Sequence, residues 1–356
     1  MHVRLPAALA LAAALLGGCA SPAARGPDPA TRAVDVPQVD HPAGETAAWW
    51  YRSGAARAAG NGAMAGRAKN VIVFLGDGMS LTTVAAARIL DGQRGGQPGE
   101  EHALSWEHFP ATAFSKTYNT DSQTPDSAGT MTAIATGVKT HMGAIGVAAG
   151  HRDDCEDSLG KPLLSWLRLA DSAGLATGIV TTARLTHATP GATYAHAPDR
   201  NWENDTDLPE SAALAGCRDI AQQLLAFAPG RGPLVALGGG RGEFLPSSQR
   251  DPERDDKVGL RLDGRDLTAE WRQRAPGAAY VWNTRQFRAA KDAPAVLGLF
   301  EFDHMQYEHD RDPGEDGEPS LEEMTRFAIA KLSAANPRGF VLLVEGARID
   351  HANHEG

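Results

Sequence analysis

Two acids and two histidines lie within ten residues in the segment VEGARIDHANHE, which begins at Val344. The segment follows a short apolar run, Phe340–Val344, whose length and composition are typical of a buried strand. Asp350 and His354 are four residues apart, so on a helical turn both side chains would project to one side. A carboxylate and an imidazole together suit Zn²⁺. The segment therefore predicts a metal site, and the alternative is the polar start of a surface helix.

A single carboxylate, Asp77, lies between two glycines in the segment FLGDGM, directly after the apolar run Val71–Leu75. Ligand sites in open α/β sheets lie at the carboxyl ends of the strands. The flanking glycines would let backbone and ions approach the carboxylate closely. These features favour a binding role for Asp77, although a simple strand-to-helix turn would give the same pattern.

Ser127 lies in the segment TPDSAGT at the predicted start of a helix. Backbone N–H groups and the helix dipole favour an anion at this position, and they would make the serine hydroxyl easier to deprotonate. The alternative is that Asp126 and Ser127 only cap the helix, which is the commoner role for these residue types.

A fourth segment, THATP at 186–190, follows another predicted strand and leads to Arg200. The planar guanidinium of an arginine can hold two oxygens of a phosphate group. Taken alone, an arginine in this position is more often a surface charge.

The elements that must position these residues alternate along the chain. Apolar runs predict strands, and periodic segments with helix start and stop signals predict helices. Strand and helix in this rhythm predict an α/β fold, a mostly parallel central sheet with helices on both faces. The segment from about 240 to 318 is polar, Gly-rich and charged, and it is predicted to form long loops. The predicted strands are Val71–Leu75, Gly178–Thr182, Leu234–Leu237 and Phe340–Val344; the predicted helices are Leu81–Leu90, Ser127–Thr136, Pro162–Ala173 and Pro319–Ala335.

The net charge of −10 argues against a nucleic-acid partner, because a phosphate backbone selects clustered Lys and Arg. It does not exclude a small phosphate substrate, since bound metal ions can reverse the local field.

The N-terminus predicts an exported lipoprotein. An apolar run, Leu5–Gly18, follows Arg4, is too short to span a bilayer, and ends at Cys19 in the sequence LGGC. Residues 1–18 are therefore predicted to be a signal peptide, with lipidation of Cys19 and anchoring to the periplasmic side of a bacterial outer membrane. An ordinary signal peptide is the alternative. Residues 19–45 are rich in Ala and Pro, and this composition predicts a tether.

Two further cysteines, Cys155 and Cys217, are predicted to form a disulfide, because an exported protein matures in an oxidising compartment. Two unpaired buried thiols are the alternative.

Residues 70–356 resemble the alkaline phosphatase family. The resemblance rests on six segments in family order: NVIVFLGDGM, TPDSAGTMTAIATGVKT, THATPGATYAHAPDRNW, GCRDIA, LGGGR and VEGARIDHANHEG. It implies a three-layer alkaline phosphatase domain over residues 46–356 and hydrolysis of phosphate monoesters through a phosphoserine. It also implies two zinc ions, one magnesium ion and a homodimer, and it supports the Cys155–Cys217 disulfide.

The resemblance also implies a role for each matched residue. Ser127 would be the nucleophile, and Arg200 would hold two phosphate oxygens. Magnesium would be held by Asp77, Thr189 and Glu345, with His187 beside it acting through water. The first zinc would be held by Asp350 and His354, and the second by Asp77 and Ser127.

The sequence departs from the family at its end. Family members continue with a helix, an Asp-His pair and a later His that complete both zinc sites. The histidines outside the matched motifs lie in the wrong segments for those roles: His102, His108, His141, His304 and His309. We therefore expect a fragment of a longer product, with an incomplete domain and little activity. The alternatives are an inactive short protein, a non-catalytic metal- or phosphate-binding lipoprotein, and a phosphodiesterase or sulfatase relative.

An acidic stretch, Glu301–Glu318, could hold a calcium ion as in some relatives, but a solvated acidic loop is the commoner case.

Overall fold

The computed structural model describes residues 46–60, 68–109, 111–227 and 231–355. The predicted signal peptide, the lipidation site Cys19 and the whole of the predicted tether lie outside these residues.

The described strands form one six-stranded parallel sheet. Its order across the sheet is β1-β6-β2-β3-β5-β4. All four predicted strands are present; each is longer than predicted, β2 by four residues, and β3 begins one residue later than predicted. The strands are β1 (Val71–Gly76), β2 (Ala176–Arg184), β3 (Val235–Gly239), β4 (Ala279–Val281), β5 (Val296–Leu299) and β6 (Phe340–Gly346).

Helices connect these strands, as expected for parallel strands. They are α1 (Ala47–Gly60), α2 (Leu81–Arg94), α3 (Ser127–Thr136), α4 (Cys155–Leu159), α5 (Trp166–Ser172), α6 (Ala188–Tyr194), α7 (Glu210–Ala215), α8 (Ile220–Leu225), α9 (Arg241–Phe244), α10 (Leu267–Gln273), α11 (Thr284–Ala289), α12 (Leu321–Ala335) and α13 (Arg348–Glu355). Two short 3₁₀ helices, Ser105–His108 and Ala290–Asp292, complete the set in the described ranges.

Capping side chains explain where two helices start later than predicted. Ser165 accepts a hydrogen bond from the Arg168 amide, so α5 begins at Trp166 rather than at Pro162. Ser320 and Glu323 form a capping box, so α12 begins at Leu321.

The prediction of long loops over residues 240–318 is wrong. Three α-helices, one 3₁₀ helix and two strands of the sheet lie there. The strands β4 and β5 have only three and four residues, too few to show a clear apolar pattern. Some of the charged side chains in this segment are buried in the protein interior. Arg241 is fully buried and contacts Asp251 and Glu253, and buried charges of this kind are tolerated when they are paired.

Helices cover both faces of the sheet, which confirms the predicted layering. Successive strand residues point to opposite faces, so Ile179 belongs to a core cluster that includes residues of α3, α5, α6, α8 and α10. Val180 belongs to a second cluster that includes residues of α12. The face of α12 that meets the sheet carries Met324, Ala328 and Leu332, the spacing expected of an amphipathic helix.

Cys155 and Cys217 form a disulfide that joins the start of α4 to the residues after α7. None of the helices in the described ranges is long and apolar enough to span a membrane.

Candidate active site

The predicted site residues converge on one cleft of about 680 Å³ at the carboxyl ends of β1, β2 and β6. This is where open parallel sheets place their ligands. Ser127 and Arg200 line the cleft, together with the residues predicted to hold metal ions: Asp77, His187, Thr189, Glu345, Asp350 and His354.

Glu345 occupies the centre of this edge because β6 lies between β1 and β2. In the strand register it is paired with Leu75 on one side and Thr181 on the other. The Thr181 hydroxyl donates to Glu345 Oε2 at 2.5 Å, whereas Oε1 is buried without a hydrogen-bond partner among the described residues. Burial raises the pKa of Glu345 to about 7, and the nearby charge of Asp77 raises it further against the opposing effect of the Thr181 hydrogen bond.

Asp77 is the residue that follows β1, and its carboxylate faces Ser127. The Ser127 hydroxyl donates to Asp77 Oδ2 at 2.9 Å and to Oδ1 at 3.1 Å. Burial raises the pKa of Asp77 although the Ser127 hydrogen bond lowers it, and the charge of Asp350 acts in the same direction as burial.

At the start of α3, capping of the helix and contact with the cleft are carried out by two different residues, Asp126 and Ser127. Asp126 is the N-cap, and its carboxylate accepts from the Gly129 amide at 3.1 Å. Ser127 is the first helical residue, so its hydroxyl is not used in capping and contacts Asp77 instead. The arrangement places a hydroxyl that takes no part in capping beside the positive end of the helix dipole.

Arg200 is held between two neighbours at the rim of the cleft. Its Nη1 donates to Asp126 Oδ2 at 3.2 Å, and its Nη2 donates to His187 Nε2 at 2.9 Å. Asn119 steadies the first of these neighbours by donating to Asp126 Oδ1 at 2.9 Å. The guanidinium is therefore held in place at the cleft that Ser127 also lines, rather than free on the surface.

His187 is the N-cap residue of α6, two residues before the buried Thr189. Burial holds the pKa of His187 well below its usual range, and the positive charge of Arg200 acts in the same direction. The ring is thus neutral at physiological pH.

Asp350 and His354 lie one turn apart on α13, as the spacing predicted, with Asp350 Oδ2 3.5 Å from His354 Nε2. The close approach to Asp350 depends on Gly78, whose φ is +61°. A Cβ atom at Gly78 would lie 2.4 Å from Asp350 Oδ1, so no other residue fits between the two segments.

The structure brings in two histidines that the sequence did not assign to the site. His304 follows β5, and His351 lies on α13; one nitrogen from each lies within 4.8 Å of the other and of a nitrogen of His187. The sequence analysis excluded His304 only from the missing zinc-ligand roles, and it assigned no place to His304 beside His187 and His351. No signal in the sequence could have placed it, because β5 was predicted to be loop.

The solvated-loop interpretation of Glu301–Glu318 is also wrong at both of its ends. Glu301 and Glu318 are both buried, and burial together with the charge of Glu301 raises the pKa of Glu318 to about 7.

The chemistry of the cleft fits bound cations. Asp77 and Glu345 are buried carboxylates whose pKa values are raised, and Glu345 Oε1 lacks a hydrogen-bond partner in the described part of the chain. A hard divalent cation prefers such oxygen ligands and would supply the missing positive charge. Asp350 and His354 form a mixed oxygen and nitrogen pair that suits zinc.

The fold and the cleft together define an α/β protein with a serine, an arginine and metal-ligand side chains at the carboxyl edge of a parallel sheet. Residues 68–356 match the family model described as alkaline phosphatase. The chain belongs to the alkaline phosphatase family.

Individual relatives agree with this assignment. The chain is 49% identical over 298 residues to the tissue-nonspecific isozyme of alkaline phosphatase from Gallus gallus, a match covering 81% of this chain and 56% of that protein. It is 48% identical to the corresponding Homo sapiens isozyme over the same shares of the two chains. Among solved structures, Thermus thermophilus alkaline phosphatase superposes with a TM-score of 0.62 at 32% identity, covering 81% of this chain and 51% of that one. The chain thus spans about half the length of these relatives.

Proposed function

We propose that this chain carries the chemistry of a phosphate monoester hydrolase, with Ser127 as the nucleophile. The observation that carries the proposal is the contact of Ser127 with Asp77 at the start of α3, beside a guanidinium already oriented by Asp126. A serine outside the cap, a helix N-terminus and an arginine fork are the parts that phosphoryl transfer needs for attack and charge stabilisation.

Each residue has a defined part in the reaction. Ser127 Oγ attacks phosphorus, the bond from phosphorus to the ester oxygen breaks, and the alcohol leaves as a phosphoserine forms. Water then attacks the phosphoserine and releases inorganic phosphate. Arg200 holds two of the non-bridging oxygens, and the first-turn N–H groups of α3 favour the remaining negative charge. Asp77 orients the hydroxyl through its two hydrogen bonds.

Two zinc ions and one magnesium ion are the proposed cofactors. Magnesium would be held by Asp77, Thr189 and Glu345, with His187 beside it through water. Asp350 and His354 would hold the first zinc, and Asp77 and Ser127 would contribute to the second. Zinc, when bound, supplies a Lewis acid that lowers the pKa of the serine hydroxyl and stabilises the leaving oxygen. The raised pKa values of Asp77 and Glu345 support this assignment, because bound cations would relieve their repulsion.

Export and anchoring are proposed from the N-terminal sequence. The Cys155–Cys217 disulfide supports maturation in an oxidising compartment. Mass spectrometry of the mature N-terminus would detect diacylglycerol on Cys19 if the lipoprotein assignment is correct. A homodimer remains a prediction, for which sedimentation velocity is the direct measurement.

The decisive experiment is to trap the phosphoserine. The full chain, loaded with Zn²⁺ and Mg²⁺, is incubated with ³²P-labelled phosphate, quenched in acid and digested. We expect label on the peptide that contains Ser127, none in Ser127→Ala, and unchanged labelling in Ser122→Ala, a control in the same loop. Absence of label from the wild-type chain, with phosphate still bound, would support a non-catalytic phosphate-binding protein instead.

Substrate class is tested with three p-nitrophenyl esters. We expect turnover of the phosphate monoester, however slow, to exceed turnover of the phosphate diester and of the sulfate. Preference for either of the last two would assign the chain to a different activity on this fold.

A further inference from the structure

Three histidines from three separate loops meet beside the cleft. His187 follows β2, His304 follows β5 and His351 follows β6, so the parallel sheet brings them to one edge. The ring centroids of His304 and His351 are 4.4 Å apart, and that of His187 lies 5.1 Å and 5.8 Å from them. Each ring offers one nitrogen within 4.8 Å of the other two. Imidazole clusters of this kind are typical ligands for zinc and for other late transition metals.

The hydrogen bonds of two of these rings are incomplete among the described residues. His187 is 8% exposed, and its Nδ1 is buried without a partner. The His304 ring faces more hydrogen-bond donors than it can accept from, because both of its nitrogens face donors on Arg184. The backbone N of Arg184 lies 3.1 Å from Nδ1, and its Nη1 lies 2.9 Å from Nε2. A neutral imidazole accepts at one nitrogen only, so one of these two contacts is not a hydrogen bond.

We propose that His187, His304 and His351 bind one divalent transition-metal ion, with Zn²⁺ as the preferred occupant. The ligands are all nitrogen, whereas Mg²⁺ and Ca²⁺ prefer oxygen, so the site selects against the hard cations. Three histidines leave a fourth position for water, as in open zinc sites. Tetrahedral zinc places its ligand nitrogens roughly 3.4 Å apart, so the rings would close on the ion by about 1 Å.

The surrounding charges allow this closure. The Arg184 guanidinium contacts Glu203 through Nε at 2.8 Å and through Nη2, and it contacts Asp303 through Nη1 at 2.6 Å. It therefore keeps carboxylate partners when it releases the His304 ring to a metal ion. Arg348 contacts His351 Nδ1 at 2.7 Å and also stacks on Tyr307, at 3.8 Å from the ring centroid. It would keep the contact with Tyr307 when His351 turns to a metal ion.

The site uses none of the residues that we assign as direct ligands of the magnesium or zinc ions. His187 was assigned a role through water, and its Nε2 contacts Arg200 while Nδ1 is unpaired. An ion here would cross-link the loops after β2, β5 and β6 next to the cleft. Its expected effect is to order these loops.

Metal counting on the full chain tests the proposal. The chelated protein is titrated with Co²⁺ alone, and bound metal is counted after gel filtration. We expect His304→Ala to bind one equivalent fewer than the wild type and to lose part of the visible Co²⁺ absorption. The control is His309→Ala, an exposed histidine in the same segment, which should bind as many equivalents as the wild type. Equal binding by His304→Ala and the wild type would overturn the site.

A second variant decides the matter if His304→Ala fails to fold. His304→Cys replaces one metal ligand by another, so it should keep the wild-type stoichiometry and add a thiolate-to-Co²⁺ charge-transfer band in the near ultraviolet. The wild type, which contains the same other cysteines, provides the baseline spectrum. A folded His304→Cys chain without the new band would also overturn the site.

Discussion

The Thr181 hydroxyl donates to Glu345 Oε2 at 2.5 Å across the β2–β6 pair, and both side chains are fully buried. This hydrogen bond fixes one carboxylate oxygen and leaves Oε1 buried without a hydrogen-bond partner among the described residues. Partners of this kind orient a ligand without touching the metal.

We therefore expect Thr181→Val to weaken Mg²⁺ binding by about tenfold, because the Glu345 carboxylate loses its orientation. Isothermal titration with Mg²⁺ measures the change, and Thr181→Ser should restore most of the affinity. Thr177 provides a matched control on the same strand and face, since it is also fully buried but its hydroxyl has no hydrogen-bond partner. Thr177→Val should leave Mg²⁺ affinity unchanged; an equal loss in both variants would mean that Thr181 acts only through packing.

Gly78 is a second position where a small change should alter a proposed metal site, in this case the zinc site that includes Asp350. A Cβ atom there would meet both Asp350 Oδ1 at 2.4 Å and Asp350 Cα at 2.8 Å. We expect Gly78→Ala to displace α13, to lower the free energy of unfolding by about 2–4 kcal/mol and to weaken Zn²⁺ binding.

Gly137 separates backbone strain from this clash. Its φ is +78°, similar to that of Gly78, but a Cβ atom at Gly137 would have no neighbour within 4 Å. Gly137→Ala should therefore cost only about 1 kcal/mol, the strain of the left-handed conformation, with unchanged Zn²⁺ binding. Urea denaturation compares the two variants, and equal losses of stability would rule out the clash with Asp350.

Asp126 has two functions that substitution can separate. Its Oδ1 caps α3 through the Gly129 amide, and its Oδ2 holds Arg200. Asp126→Ala should lose both, whereas Asp126→Ser should keep the cap and lose the two contacts of Oδ2, with Arg200 and with the Gly143 amide.

Both variants should bind inorganic phosphate more weakly, by roughly three- to tenfold, because Arg200 is no longer pre-oriented. Only Asp126→Ala should also lose about 1 kcal/mol of stability. Phosphate titration and thermal unfolding give the two readouts. Unchanged phosphate affinity in Asp126→Ser would show that the contact between Asp126 and Arg200 does not orient the guanidinium.

Asp77 and Glu345 could be placed from sequence because each lies at the end of a clear apolar run, whereas Arg200 was assigned only through the resemblance to the family. The strand order could not be predicted, since nothing local places β6 between β1 and β2. The buried ion pair between Arg241 and Asp251 could not be predicted either, because sequence composition does not distinguish a buried ion pair from a solvated one. His304 was not assigned to the cleft because the strand before it is short and because the residues beside it come from distant segments of the chain.

Glu243 gives the fold a specific dependence on pH. Burial raises the pKa of its carboxyl group to about 8, and the charge of Glu203 adds to this effect, although Asn204 donates a hydrogen bond to Oε2 at 2.6 Å. Between the ordinary pKa of 4.5 and about 8, the folded state keeps a proton that the unfolded state has released. The free energy of unfolding should therefore fall as pH rises through this interval, in total by an amount on the order of a few kcal/mol.

Glu243→Gln should remove this contribution, because the amide cannot ionise and still accepts the Asn204 hydrogen bond through its oxygen. We expect the variant to be more stable than the wild type at pH 8 and close to it at pH 5, as measured by urea denaturation across that range. Glu210→Gln, at an exposed position on α7, is the control and should retain the wild-type slope. If the slopes of wild type and Glu243→Gln coincide, Glu243 is ionised in the folded protein throughout, and Arg184, whose Nε lies 3.9 Å from Glu243 Oε1, compensates its charge.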